Sequence, residues 1–277
     1  RRVYLHTIGA DPHTDVLVFG AGMNLTNYYG VSVSRDGRWL EVASSEGTEP
    51  RNDLWVADLT VSDPSSPSFE LVQGDVDAQT SLTFGRDGRA YIFTDRDAPR
   101  GKLLVTTPGS WDPTSWKTLI PEAPDAVLES VTLLDGDGLD QDQLLVVHTN
   151  HGVAQMAVHA AAGGEFLYPI ELPGAGTIGG PIEHIDGGPI TWIVYTDHTT
   201  IPTIFEFDAR SRKLILYATP PGSVQAPSVH SELITYPSLD GTTVRMFVIS
   251  PTGNSDQPRP TILYGYGGFG IPMQPGY

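Results

Sequence analysis

The chain of 277 residues carries a formal charge of −17, with 33 acidic side chains against 16 Lys and Arg, and it contains no cysteine. An acidic surface repels phosphate backbones and anionic headgroups, so we expect no nucleic acid and no membrane partner. The lack of cysteine excludes disulfide frameworks, thiolate metal sites and cysteine nucleophiles, and it favours a cytoplasmic location.

Short apolar runs of strand length follow one another from the start of the chain to about residue 222. Each run is bounded by Gly, Pro, Asp or Asn, and none keeps a helical period over the length that a helix needs. They therefore predict an all-β region. The runs are Val16 to Phe19, Trp39 to Val42, Leu54 to Leu59, Ala90 to Thr94, Leu103 to Thr107, Leu144 to Val147, Val153 to Val158, Ile190 to Tyr195, Thr203 to Phe207 and Leu214 to Tyr217.

Asp-Gly pairs recur between these runs at intervals of about 50 residues. Asp-Gly favours tight hairpins because both residues tolerate positive φ. A period of about 50 residues with about four short strands is typical of β-propeller blades. Residues 1–222 are therefore predicted to form an incomplete β-propeller of four to five blades. The pairs are Asp36-Gly37, Asp87-Gly88, Asp135-Gly136 and Asp186-Gly187.

The pattern of the sequence changes after residue 222, where a loop-like stretch of Ser, Gln, Ala and Pro precedes new apolar runs. Residues 223–277 are therefore predicted to open a second domain. Two runs, Leu233 to Tyr236 and Val244 to Ile249, flank the turn residues Asp240 and Gly241 and predict a hairpin. A third strand is predicted over Thr261 to Tyr264.

Glycines dominate the segment that follows the third predicted strand. Gly265, Gly267 and Gly270 have the spacing of a dinucleotide-binding fingerprint. That fingerprint requires a helix to open at its last glycine, whereas Pro272 and Pro275 interrupt the next turns, so no cofactor is expected. Two interpretations stay open on these residues alone. The segment is either a turn with buried aromatic side chains or a loop that faces a hydrolase oxyanion.

Histidines at positions 148, 151 and 159 are the other cluster of possible ligands. They fall in a strand-turn-strand context without an adjoining carboxylate pattern, so we interpret them as surface or packing residues and expect no metal.

Several segments, in the same order along nearly the whole chain, resemble the prolyl oligopeptidase family of serine peptidases. The most specific is Leu263 to Phe269, Leu-Tyr-Gly-Tyr-Gly-Gly-Phe, with Pro275 and Tyr277 after it. The others are Tyr236 to Thr242 leading to Met246 to Ile249, Ser115 to Glu122, Val127 to Glu129 and Asn52 to Trp55.

The resemblance implies a mainly β fold, in which part of a seven-bladed β-propeller is followed by the first strands of an α/β-hydrolase domain. It implies cleavage of short proline-containing peptides after proline, by acyl transfer to a serine, with the propeller restricting substrate size. Tyr266 matches the family tyrosine whose hydroxyl stabilises the oxyanion, and Phe269 matches an aromatic residue of the substrate pocket.

The family's catalytic Ser, Asp and His have no match here, and no G-x-S-x-G sequence occurs in the chain. The isolated chain is therefore expected to be inactive and to need the remainder of the peptidase, which includes the catalytic domain and the missing blades. Two alternatives stay open: a non-catalytic propeller that serves as a binding module, and an oligopeptidase of the same superfamily that is specific for basic residues. Whether the enzyme hydrolyses or cyclises peptides also stays open.

Overall fold

A computed structural model describes residues 1–222, 228–252, 258–269 and 271–277 of the chain. Its regular structure is almost entirely antiparallel β-sheet. The chain divides into two compact units, residues 1–123 and 124–277, which are taken in turn below. No helix within the described ranges is long and apolar enough to cross a membrane.

The first unit contains one two-stranded sheet and two four-stranded sheets, each formed by strands in chain order. Single 3-10 turns, Pro12–Thr14 and Pro113–Ser115, each begin after an Asp whose carboxylate accepts a backbone N–H. The strands are β1 (Val3–Leu5) and β2 (Val16–Phe19); β3 (Asn27–Val33), β4 (Trp39–Glu46), β5 (Asp53–Asp58) and β6 (Phe69–Gln73); and β7 (Thr80–Phe84), β8 (Ala90–Thr94), β9 (Lys102–Thr106) and β10 (Lys117–Ile120).

The second unit repeats the four-stranded meander twice and adds a hairpin. Its strands are β11 (Val127–Leu134), β12 (Gln143–Asn150), β13 (Val153–Ala160) and β14 (Phe166–Ile170); β15 (Thr177–Glu183), β16 (Ile190–Thr196), β17 (Thr203–Asp208) and β18 (Lys213–Ala218); and the paired strands β19 (Val229–Pro237) and β20 (Thr243–Pro251). Every run predicted before residue 222 coincides with or overlaps one of these strands, so the all-β prediction is confirmed.

The Asp-Gly pairs each connect the first and second strands of a four-stranded sheet, as the repeat predicts. Within these pairs only the glycine takes a positive φ, for example 72° at Gly37 and 77° at Gly88. The aspartate acts as an acceptor instead: Asp36 Oδ1 accepts the Arg38 N–H at 3.1 Å. Asp87 Oδ1 accepts the Arg89 N–H in the same way at 3.0 Å, whereas Asp135 Oδ1 accepts the Gly188 N–H at 2.8 Å. The left-handed glycine is therefore common to the four pairs, and the local carboxylate cap is seen at Asp36 and Asp87.

Each unit has a core of apolar side chains that includes residues from both of its four-stranded sheets. Full burial of a Val, Leu, Ile or Phe side chain stabilises a fold by about 1.5–3 kcal/mol, so these cores hold adjacent sheets together. The first core contains Trp39, Leu54, Val56, Val72, Leu82, Ala90, Ile92, Leu104 and Trp111. The second contains Leu134, Leu145, Val147, Met156, Val158, Ile170, Ile193, Phe207 and Ala209.

The region after residue 222 agrees with only part of its prediction. The hairpin forms as β19 and β20, but the strand predicted over Thr261 to Tyr264 is wrong. Ile262 and Leu263 are 93% and 82% exposed, and no strand among the described residues pairs with them. An apolar run becomes a strand only when a neighbouring strand takes up its backbone hydrogen bonds. The domain boundary at 222/223 stays a prediction, and residues 223–227 and Gly270 lie outside the described residues.

Candidate functional site

The glycine-rich loop, residues 264–269, carries the two predicted site residues on a reversing stretch of backbone. Gly267 has φ of 75° and Phe269 has φ of 54°, and the Ile271 N–H donates to Gly268 O at 3.1 Å. Left-handed backbone at a bulky residue such as Phe269 is rare and costs free energy. Phe269 shares this left-handed conformation with Asp75, Asp97, His151 and Arg212.

Both predicted side chains are open to solvent. Tyr266 is 53% exposed and Phe269 is 78% exposed. The Tyr266 ring extends over Gly268, because a Cβ placed on that glycine would meet Tyr266 Cε1 at 3.5 Å. That distance is an ordinary van der Waals contact, so the ring of Tyr266 lies beside Gly268 in the loop. Neither aromatic side chain is buried within this chain, and the choice between the two interpretations of the loop stays a prediction.

The anchored segment, residues 274–277, follows the glycine-rich loop and lies against β12, β15 and β16. Thr177 Oγ1 donates to Pro275 O at 2.7 Å, and the Tyr277 N–H donates to Thr196 Oγ1 at 3.2 Å. Gln274 Nε2 donates to Thr149 Oγ1 at 3.3 Å. The loop that carries Tyr266 is therefore tied, a few residues later, to strand ends of two neighbouring sheets.

The hairpin β19–β20, which precedes the loop, also contacts the fourth four-stranded sheet. His198 Nδ1 and Ser231 Oγ lie 2.7 Å apart, and the His198 ring meets Phe247 edge-on at 5.2 Å between centroids. Burial lowers the pKa of His198 and the nearby Asp197 carboxylate partly offsets it, so the imidazole is held toward its neutral form. A neutral ring suits a contact with an aromatic side chain and a hydroxyl.

Asp197 organises the loop between β16 and β17 that presents His198. Its Oδ2 accepts the Tyr195 hydroxyl at 2.7 Å, and its Oδ1 accepts the backbone N–H groups of Thr199 and Thr200, each at 2.7 Å. Burial alone would raise the pKa of Asp197, but these hydrogen bonds outweigh it and lower the pKa to about 2. The carboxylate therefore stays ionised and fixes the loop.

The histidine cluster considered in the sequence lies on and beside β12 and β13. Burial, and to a lesser degree the neighbouring His159, lowers the pKa of His148. His159 Nδ1 lies 2.9 Å from Gly164 O, and His151 occupies the left-handed turn between the strands. Within the described ranges, no group of three or more His, Cys, Asp or Glu side chains is placed to hold a metal.

Sequence reasoning missed the residues that hold the loop in place. These residues lie at strand ends and in turns, where threonine and aspartate are common whatever their role. They are Thr149, Thr177, Thr196, Asp197 and His198. The run Asp197 to Thr200 indicates a turn after an apolar strand, but nothing in it reveals a distant partner. Contacts across about 80 to 125 positions are visible only after folding.

Residues 1–220 match the family model described as prolyl oligopeptidase, N-terminal beta-propeller domain. The chain belongs to the prolyl oligopeptidase family. Its four-stranded sheets are accordingly blades of that propeller, and the family is one of serine peptidases.

Similar proteins within the prolyl oligopeptidase family align with all or nearly all of this chain. The prolyl endopeptidase of Elizabethkingia miricola is 30% identical over 100% of this chain and 37% of its own length. The dual function macrocyclase-peptidase of Galerina marginata is 24% identical over 98% of this chain and 37% of its own. A solved prolyl endopeptidase structure matches with a TM-score of 0.86 at 28% identity, over 100% of this chain and 39% of that one. The chain thus spans little more than a third of the relatives that it matches.

Proposed function

We propose that this chain is part of a serine endopeptidase that cleaves short peptides after proline by acyl transfer. The observation that carries the proposal is the match of residues 1–220 to the prolyl oligopeptidase propeller, continued to the last residue by the alignment with the Elizabethkingia miricola prolyl endopeptidase. The blades form a wall that restricts the size of substrates, and short proline-containing peptides are the partners. The cytoplasmic location stays a prediction, for which cell fractionation is the check.

In this proposal the Tyr266 hydroxyl donates a hydrogen bond to the oxyanion of the tetrahedral intermediate. A donor placed where negative charge develops stabilises the transition state more than the ground state, by about 3–4 kcal/mol. The 53% exposure of Tyr266 supports the role, because the phenol must be open to a substrate carbonyl.

Phe269 is proposed to line the pocket that accepts proline. The aromatic face and the pyrrolidine ring are both apolar, so their contact is favoured by the removal of surface from water. The 78% exposure of Phe269 and its left-handed backbone support this role, since burial inside the chain accounts for neither.

The nucleophile, its base and the orienting acid are proposed to come from the remainder of the peptidase. No G-x-S-x-G sequence occurs in this chain, so the sequence expected around a hydrolase nucleophile is missing. We therefore propose that the isolated chain is inactive, and that residues 223–277 form the start of the α/β-hydrolase domain.

The substitution Tyr266→Phe in the complete peptidase tests the role of the phenol. We expect kcat on a short chromogenic peptide to fall by about 100-fold or more with little change in KM, because the hydrogen bond is strongest in the transition state. Tyr264→Phe is the matched control, since Tyr264 lies in the same loop and is 75% exposed. An unchanged kcat for Tyr266→Phe would remove this residue from the mechanism.

Peptides that differ only in the residue before the scissile bond test the specificity. We expect cleavage after proline and no cleavage after Lys or Arg, and the reverse preference would favour a basic-residue oligopeptidase. The mass of the products separates hydrolysis, which adds one water, from cyclisation, which does not.

A further inference from the structure

We propose that Thr177 and Thr196 are positioning residues for the peptidase reaction, because their hydroxyls hold the anchored segment and thereby fix where Tyr266 stands. The inference rests on the proposed function of Tyr266. It assigns to two propeller residues a measurable share of kcat, although neither of them touches the substrate.

The two threonines form a matched pair on the fourth four-stranded sheet. Thr177 begins β15, Thr196 ends β16, and the two are direct cross-strand partners. Thr177 Oγ1 lies 2.7 Å from Pro275 O, and Thr196 Oγ1 lies 3.2 Å from Tyr277 N. The strand pair β15–β16 therefore forms hydrogen bonds to the carbonyl of Pro275 and to the N–H of Tyr277, two residues apart on the anchored segment.

The direction of each hydrogen bond is set by its surroundings. Thr196 Oγ1 also lies 2.9 Å from Thr200 O, an acceptor, so its proton points there and its lone pair faces the Tyr277 N–H. Pro275 is buried and has no N–H, so its burial leaves no backbone donor unpaired. The carbonyl of Pro275 is the group that needs a partner, and Thr177 supplies it.

The segment is held firmly enough to act as an anchor. Asp197 caps the loop that supplies Thr200 O, through its bonds to Tyr195 and to the loop backbone. On the other side of the glycine-rich loop, His198 contacts both strands of the hairpin through Ser231 and Phe247. The neighbouring sheet adds a hydrogen bond of 3.3 Å, from Gln274 Nε2 to Thr149 Oγ1.

Anchoring matters because glycines flank Tyr266 on both sides. A Cβ added at Gly265 or Gly267 would meet nothing within 4 Å, so no neighbouring atom packs against that side of either glycine. Glycine-rich backbone loses the most conformational freedom when it is ordered. A displacement of about 1 Å at a reacting group can cost about 100-fold in rate, so a loosened anchor is expected to lower kcat.

The test is made in the complete peptidase with Thr177→Val and Thr196→Val, alone and together. Valine keeps the shape of threonine but provides neither bond. We expect each single variant to lower kcat by about 5- to 10-fold with KM nearly unchanged, and the pair to lower it by about 10- to 100-fold. Thr177→Ser keeps the hydroxyl and should retain nearly full kcat. The matched control is Thr191→Val on the same sheet, whose hydroxyl donates to Ile182 O on the neighbouring strand, 2.9 Å away, and kcat should not change.

Combination with Tyr266→Phe separates positioning from general damage. If the threonines act through the phenol, Thr177→Val should cost almost nothing more in kcat once Tyr266 is Phe, because coupled residues are not additive. Additive losses, or unchanged kcat in both threonine variants beside an impaired Tyr266→Phe, would overturn the inference and leave the proposed function standing. An active Tyr266→Phe would refute the proposed role and this inference with it. Thermal melting of each variant verifies folding, and if the pair does not fold the single variants decide.

Discussion

Replacing Asp197 by Ala should destabilise the loop between β16 and β17 without unfolding the blade. The carboxylate is the shared acceptor for the Tyr195 hydroxyl and for the backbone of Thr199 and Thr200. Removing it leaves these donors without their acceptor while the strands on either side keep their ladder. We therefore expect a local loss of stability that is confined to residues 195–203.

The size of the loss follows from which donors can reach water. Thr199 is exposed, so its N–H exchanges the carboxylate for solvent at little cost. Tyr195 is 0% exposed, so its hydroxyl is stranded. A buried polar group left without a partner costs about 1–3 kcal/mol, which gives about 2 kcal/mol for the opening of this loop.

Hydrogen exchange followed by mass spectrometry on the complete peptidase measures this opening directly. A loss of about 2 kcal/mol corresponds to about 30-fold faster exchange in peptides that cover the loop. The substitution Tyr195→Phe removes the hydroxyl that Asp197→Ala would otherwise leave without an acceptor. In that background Asp197→Ala should accelerate exchange much less, because the main penalty has been eliminated.

Asp63→Ala is the matched control, because the Asp63 carboxylate caps the Ser65 backbone N–H in the same way but has no buried tyrosine on it. We expect less than about a fivefold change around residues 63–66, since solvent replaces the lost acceptor. Equal effects for the two aspartates, or unchanged exchange after Asp197→Ala, would refute the reasoning from the buried hydroxyl.

Two further substitutions probe the neighbourhood of the anchored segment. Gly152 has φ of 85°, and an added Cβ would lie 3.3 Å from Met273 O. Gly88 has a similar φ of 77°, but an added Cβ there would meet nothing within 4 Å. Gly152→Ala should therefore lower the Tm more than Gly88→Ala. Equal shifts in Tm would contradict the contact. Burial lowers the pKa of His198 in the folded protein below its ordinary 6.5. The stability that the neutral imidazole contributes is therefore complete above pH 6.5 and is lost as the pH falls through the lowered pKa. Relative to His198→Asn, the wild-type Tm should fall on acidification from pH 7.5 to 5, and a constant difference would contradict the sign.

The sequence predicted the middle strands of each blade best. The runs within β8 and β12 are buried along most of their length, and their continuous apolar character made them visible. The first strands β3, β7, β11 and β15 lay outside the predicted runs. For β3 and β15 the reason is exposure, because their residues are all exposed or only half-buried and their patterns are mixed. The Asp-Gly repeat compensated, since each pair marks where a first strand must turn into a second.

The predicted strand over Thr261 to Tyr264 failed for a related reason. Its composition is suited to a strand, but strand formation depends on a neighbour that supplies hydrogen bonds, and composition carries no information about neighbours. The site residues Tyr266 and Phe269 were found by resemblance alone, and their roles stay predictions until kinetics test them.

Local chemistry thus determined much of this protein from the sequence alone: the turns, the strand period and the blade repeat all follow from glycine at positive φ, aspartate caps and short apolar runs. The tertiary structure decided which strand ends meet the anchored segment and which carboxylate stabilises the loop beside it. Those contacts join residues far apart in the chain, and threonine or aspartate at a turn has the same local preferences whether or not a distant backbone group lies within reach of its oxygen.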